Sequence, residues 1–115
     1  MAIRDPAGLL PLSAPVFNIL LVLGTEAMHG YGIMQEVERR TEGRETLLPG
    51  SLYATIARMV GEGLIEEVAA RGETDARRRL YRRTRWGRAV ARAEAERMGM
   101  LVALARKQDL LSGTR

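Results

Sequence analysis

The stretch from Pro49 to Ile65, PGSLYATIARMVGEGLI, constrains this chain more than any other. Pro49-Gly50-Ser51 reads as a helix start, with Ser51 as the N-cap. Leu52, Ile56, Met59 and Val60 then recur at helical spacing and define one apolar face. The opposite face carries Ser51, Ala54, Ala57, Arg58 and Gly61, all small apart from the arginine. Tyr53 and Thr55 flank it. Gly61 and Gly63 close the helix, and Leu64-Ile65 begins something extended. A helix with an apolar back and a small, polar front suits insertion into a DNA major groove. An ordinary amphipathic helix has the same pattern, so the neighbouring segments must decide.

The first of these is a basic block. Arg71 to Arg88 contains eight arginines and two acids, a local charge of +6 in a chain whose total is +4. Seven of those arginines fall between Arg77 and Arg88. A basic block on a near-neutral body is the footprint of a polyanion partner. A solvated hairpin face is the plainer alternative, but this density favours the partner.

The rest of the chain supplies a frame. Residues 1–12 lack periodicity and contain Pro6, Gly8 and Pro11, which predicts a loose N-terminal arm. Ser13 caps a short, nearly all-apolar helix over Val16 to Leu23. Met28-His29-Gly30-Tyr31-Gly32 is a tight entry into a second helix, Tyr31 to about Arg40, with Ile33, Met34 and Val37 inside. A polar connection, Thr41 to Leu48, leads to the Pro49 helix. Leu64–Val68 and Arg78–Thr84 read as two strands of a hairpin turning at Gly72 and Thr74-Asp75. Thr84 would cap a last helix of roughly 25 residues, about 37 Å long.

The expected fold is therefore α+β and mainly α. A winged helix-turn-helix occupies residues 13–84, and a C-terminal dimerisation helix occupies 85–115. The apolar positions Val90, Ala93, Leu101 and Leu104 on that helix are expected to face a second chain.

Composition excludes several alternatives. The chain has 115 residues, no cysteine and a single histidine, His29. That leaves no thiolate metal site, little for zinc and no His-based triad. No nucleophile–base pair or phosphate-binding glycine loop is visible, so no catalytic residue, metal or cofactor is expected. His29 should hydrogen-bond locally. The longest apolar run falls far short of the ~18 residues that span a bilayer. No signal-like segment opens the chain, and a cytoplasmic location is expected.

Taken together, Ala14-Pro15, His29-Gly30-Tyr31-Gly32, Pro49-Gly50-Ser51-Leu52-Tyr53, Glu62-Gly63-Leu64-Ile65, Arg77-Arg78-Arg79, Tyr81-Arg82, Thr84 and Gly87 resemble the PadR family of bacterial transcription regulators. They span most of residues 14–88 in the family's order, and the single last helix is similar to the smaller subclass. The resemblance implies a sequence-specific DNA-binding homodimer on a palindromic operator. It would usually be a repressor released by a small hydrophobic or aromatic effector.

By position, Gly50, Ser51 and Tyr53 would lie at the DNA-facing start of the recognition helix, with Arg58 further along its front. Arg71, Arg77, Arg78 and Arg79 would lie in the wing, and Tyr31 near the phosphates. Trp86, Met98 and Met100 are the candidates for an effector site.

The chain departs from the family at Arg83, where a leucine is usual, so Arg83 must point outward or be paired. Arg85-Trp86 is also unusual. The competing reading is a winged-helix protein-interaction module without sequence-specific DNA binding. The basic wing argues against it.

Overall fold

A computed structural model describes residues 4–24, 26–68 and 79–111. A short 3-10 turn at Pro6–Leu9 precedes α1 (Ala14–Val22), β1 (Met28–His29), α2 (Gly30–Arg40), α3 (Pro49–Gly61), β2 (Ile65–Val68), β3 (Leu80–Arg83) and α4 (Arg85–Lys107). The architecture is mainly helical, with one small antiparallel sheet in the order β1-β3-β2.

Each helix start has a local cause. The Ser13 side chain accepts from the Val16 amide and caps α1. Thr84 caps α4 by accepting from the Gly87 amide at 2.9 Å. Ser51 does not cap α3. That helix begins at Pro49, with the N-cap at Leu48, three residues before Ser51, and no side-chain cap. Proline at the first helical position has no N–H to satisfy, and it displaces the start toward itself.

The end of α3 is a glycine-closed reversal. Gly63 sits at φ +76, its amide bonds the Val60 carbonyl, and the Leu64 amide bonds Met59, both at 3.0 Å. This pairing satisfies two carbonyls of the last turn and turns the chain directly into β2.

The core is aliphatic. Ile19, Leu20 and Leu23 of α1 pack with Ile33 and Val37 of α2 and with Leu52, Ile56 and Met59 of α3. Leu47, in the connection read as polar, is buried with them. Val60 is not: it is 38% exposed and faces the sheet side of α3.

Three expectations fail for related reasons. First, Met28-His29 forms a third strand, pairing Met28 with Tyr81 and His29 with Leu80. The side chain of His29 is exposed and makes no hydrogen bond among the described residues.

Second, residues 4–12 are not loose. They run along α4, with the 3-10 turn packed on it and the Leu12 amide donating to Glu94 Oε2 at 2.8 Å. Glu94 is fully buried. Arg97 Nε also donates to it, at 2.5 Å, and this hydrogen bond holds the carboxyl below its ordinary range against the pull of desolvation.

Third, Val90 is completely buried within its own core, and half-buried Ala93 lies beside Pro6. Val90 therefore cannot touch a second chain. The N-terminal segment and the core cover the first half of α4, which the sequence pattern had counted as uncovered.

The tightest contact in the fold is at Gly87. A Cβ there would lie 1.9 Å from the Leu64 carbonyl oxygen. Gly87→Ala is expected to cost at least about 2 kcal/mol, because backbone rather than a flexible side chain must move. Gly61 meets nothing within 4 Å, so Gly61→Ala should be neutral or slightly stabilising. Urea unfolding of both variants tests this, and equal midpoints would refute it.

Candidate nucleic-acid interface

The front of α3 is open. Ser51, Ala54, Ala57, Arg58 and Gly61 are exposed, and Arg58 makes no ion pair among the described residues. The uncapped first turn leaves the amides of Gly50 and Ser51 free to meet an acceptor such as a phosphate oxygen.

Tyr53 sits on the flank. Its ring packs against Gly30, where a Cβ would fall 2.7 Å from the ring. Any larger residue at position 30 would push Tyr53 off the helix flank. This contact joins the glycine turn that opens α2 to the first turn of α3. It places Tyr31, 59% exposed, next to the start of the same surface.

Between α3 and the sheet lies an open groove of about 490 Å³. It is lined by Tyr53, Ile56, Ala57, Val60, Glu67, Arg79 and Tyr81. The Tyr81 hydroxyl is pushed up by burial and by the Glu67 carboxylate beside it.

The arginines are not all where the sequence put them. Arg71, Arg77 and Arg78 lie outside the described residues. Arg79 is half-exposed and pairs with Glu67 at 3.2 Å. Arg82 pairs with Glu66 at 2.6 Å, directly across the β2–β3 register. Arg83 turns inward: Nη1 donates to the Leu20 carbonyl at 3.0 Å, and burial and the nearby Arg88 lower its pKa. Arg83 thus finds a backbone partner rather than an ion pair. Arg85 and Arg88 belong to α4, as the expected helix over 85–115 places them. Among the described residues the basic block is therefore divided between β3, with Arg79 just before it, and α4, and is partly neutralised. The acids responsible, Glu66 and Glu67, lie just before the block in sequence but opposite it in space.

The effector candidates do not converge within one chain. Trp86 is half-buried at the first turn of α4, with the Arg4 guanidinium 4.1 Å above its ring. Met98 lies twelve residues further along the helix, about 18 Å away. Met98 and Met100 are exposed.

A family model described as the transcriptional regulator PadR-like family matches residues 19–93. The chain belongs to that family. Among solved structures, a PadR family transcription regulator from Clostridium difficile superposes with a TM-score of 0.69 at 21% identity, over 83% of this chain and 97% of that one. A PadR-like regulator from Bacillus cereus gives 0.67 at 23%, over 93% and 95%. RosR of H. salinarum gives 0.63 at 28%, over 90% and 99%. No curated protein matches the chain.

As a PadR-like protein the chain is a DNA-binding transcription regulator, and the winged helix is the shared fold. The HGYG and PGSLY segments that carry the resemblance are the two that meet at Gly30 and Tyr53. No helix among the described residues is long and apolar enough to cross a membrane.

The Glu67–Arg79 pair sets an expectation for this PadR-like surface. Glu67→Gln should free Arg79 for a phosphate. Binding to random duplex DNA should tighten at low salt, and the salt slope should steepen by roughly one ion. A slope that stays the same in a salt titration would mean that Arg79 does not reach the backbone.

Proposed function

We propose that the protein is a homodimeric, sequence-specific repressor that reads a palindromic operator with α3 and is released by a small hydrophobic or aromatic effector. The observation that carries the reading is the front of α3. It is small enough to approach base edges, and its one long side chain, Arg58, makes no ion pair among the described residues. Its back is fixed in the core by Leu52, Ile56 and Met59. An arginine presented this way can bond a guanine bidentately. Ser51 and the free amides of the first turn, with Tyr53 and Tyr31 alongside, suit phosphates and sugars at the groove edge. The wing arginines, Arg71, Arg77, Arg78 and Arg79, would add contacts that position the protein without reading sequence.

Support for a dimer comes from the far half of α4. Leu101 and Leu104 are both more than half exposed, and Met98, Met100 and Val102 widen the apolar surface. Monomers rarely leave such a patch on a projecting helix. An effector would enter against this same surface, where methionines adapt to varied apolar shapes. Trp86 is a poor platform for it, since one face of its ring already carries Arg4.

Two experiments test this. Arg58→Ala should weaken binding to a fragment selected by the wild-type protein from random duplex DNA by about 1–3 kcal/mol, with little effect on random DNA. Equal losses on both DNAs would assign Arg58 to the phosphates instead. The double variant Leu101→Asp, Leu104→Asp leaves Val90 and Glu94 in place and should sediment as a folded monomer. A dimer that survives both charges would move the interface elsewhere.

A further inference from the structure

Arg4 lies at the meeting point of two elements that do different jobs. Its Nη2 donates to the Glu62 carbonyl at 3.1 Å, the residue that ends α3. Its guanidinium lies 4.1 Å from the centroid of the Trp86 ring, in the first turn of α4. The ideal Cβ of Gly63, in the reversal between them, comes within 3.9 Å of both Arg4 nitrogens and of Trp86 Cδ1. One side chain therefore bridges the C-terminal end of the helix that faces outward and the start of the helix with the long apolar stripe.

The chemistry suits arginine in particular. The end of α3 carries the negative pole of the helix dipole and the Glu62 carbonyl, to which a cation can donate. A planar guanidinium can stack on an indole face while its edge donates to that carbonyl, and an ammonium cannot do both. The segment behind Arg4 is itself anchored. Asp5 caps the 3-10 turn through the Ala7 amide at 3.0 Å, and Leu12 is bonded to the buried Glu94. Arg4 is thus held at the end of a short strap tied at both ends to α4.

We propose that Arg4 is a positioning residue for DNA recognition: it locks the angle between α3 and α4 and does not touch DNA itself. The inference rests on α3 being the reading helix. A lock at the base of α3 acts on how its front meets base edges. Contacts to the phosphate backbone tolerate a small rotation, whereas bidentate base contacts do not. Loosening the lock should therefore erode discrimination rather than general affinity.

The test compares wild type, Arg4→Ala and Arg4→Lys on the fragment selected by wild type and on random duplex DNA, over a range of salt. Arg4 is exposed at the surface, and both variants should fold. Both should bind the selected fragment about 3- to 10-fold more weakly, with random-DNA affinity and salt slope unchanged. The emission of Trp86, the only tryptophan, should shift in Arg4→Ala as the cation leaves its ring.

A salt slope that falls by about one ion in Arg4→Ala and recovers in Arg4→Lys would make Arg4 a phosphate contact and overturn the proposal. Discrimination equal to wild type in both variants would also overturn it, leaving Arg4 a packing role only. Arg58→Ala serves as the control, because its loss on the selected fragment depends on α3 reading DNA and not on Arg4.

Discussion

One carbonyl organises this molecule. The Leu64 oxygen accepts the Thr84 amide at 3.1 Å, lies 3.1 Å from the Thr84 hydroxyl, and leaves no room for a side chain at Gly87. The Thr84 hydroxyl donates to the neighbouring Gly63 carbonyl at 2.6 Å and caps α4 with the same oxygen. Twenty residues of chain leave Leu64 and return to it. The end of α3, the base of the β2–β3 pair and the start of α4 are thereby fixed by three short contacts around one peptide. The angle between the helix facing outward and the helix that carries the apolar stripe is set here. Arg4 closes the same joint from outside.

Charge in this chain becomes interpretable only through strand register. A run of arginines suggests a strongly positive wing. Antiparallel pairing sets Glu66 opposite Arg82, and Glu67 reaches Arg79 diagonally. Exposed pairs of this kind add little stability, on the order of 0–1 kcal/mol each. Their larger effect is on what the free protein presents to a polyanion. An arginine already paired must exchange a carboxylate for a phosphate, so its net contribution to binding is small. Arg58, which has no such competitor among the described residues, is worth more to an interface than its single charge suggests.

Much of the fold was legible because its signals are local. The caps at Ser13 and Thr84, the glycine reversal at Gly63 and the apolar spacing of Leu52, Ile56 and Met59 each act within a few residues. The front of α3 was legible for the same reason. What escaped was long-range. A two-residue strand such as Met28-His29 has no periodicity, and only its partner in β3 makes it a strand. The strap over α4 depends on Leu12 meeting Glu94, 82 positions away. Without it, Val90 and Ala93 looked available to a second chain. Arg83 broke the family pattern, yet its escape to the Leu20 carbonyl is visible only in space. Ser51 was misread as a cap because proline and serine both mark helix starts, and the proline came first.

The two halves of α4 obey different rules, and the difference bears on function. Up to Glu94 the helix is held by the core, the strap and the buried Glu94 carboxylate, which pairs with the partly exposed Arg97. From there to Lys107 it projects about 20 Å with its apolar side chains exposed. A helical segment that short is marginal on its own in water. Gly99 weakens it further by about 1 kcal/mol relative to alanine, and the space around that glycine is open. The packed first half supplies the helical nucleus, so this half propagates from it with little stability of its own, and packing on its apolar face would add most of the rest. The homodimer proposed above would supply that packing through Leu101 and Leu104. Association would then stabilise the helical form of this half. An effector that competes for Met98 and Met100 would act on both, and through the rigid joint at Leu64 on the spacing of the two α3 helices.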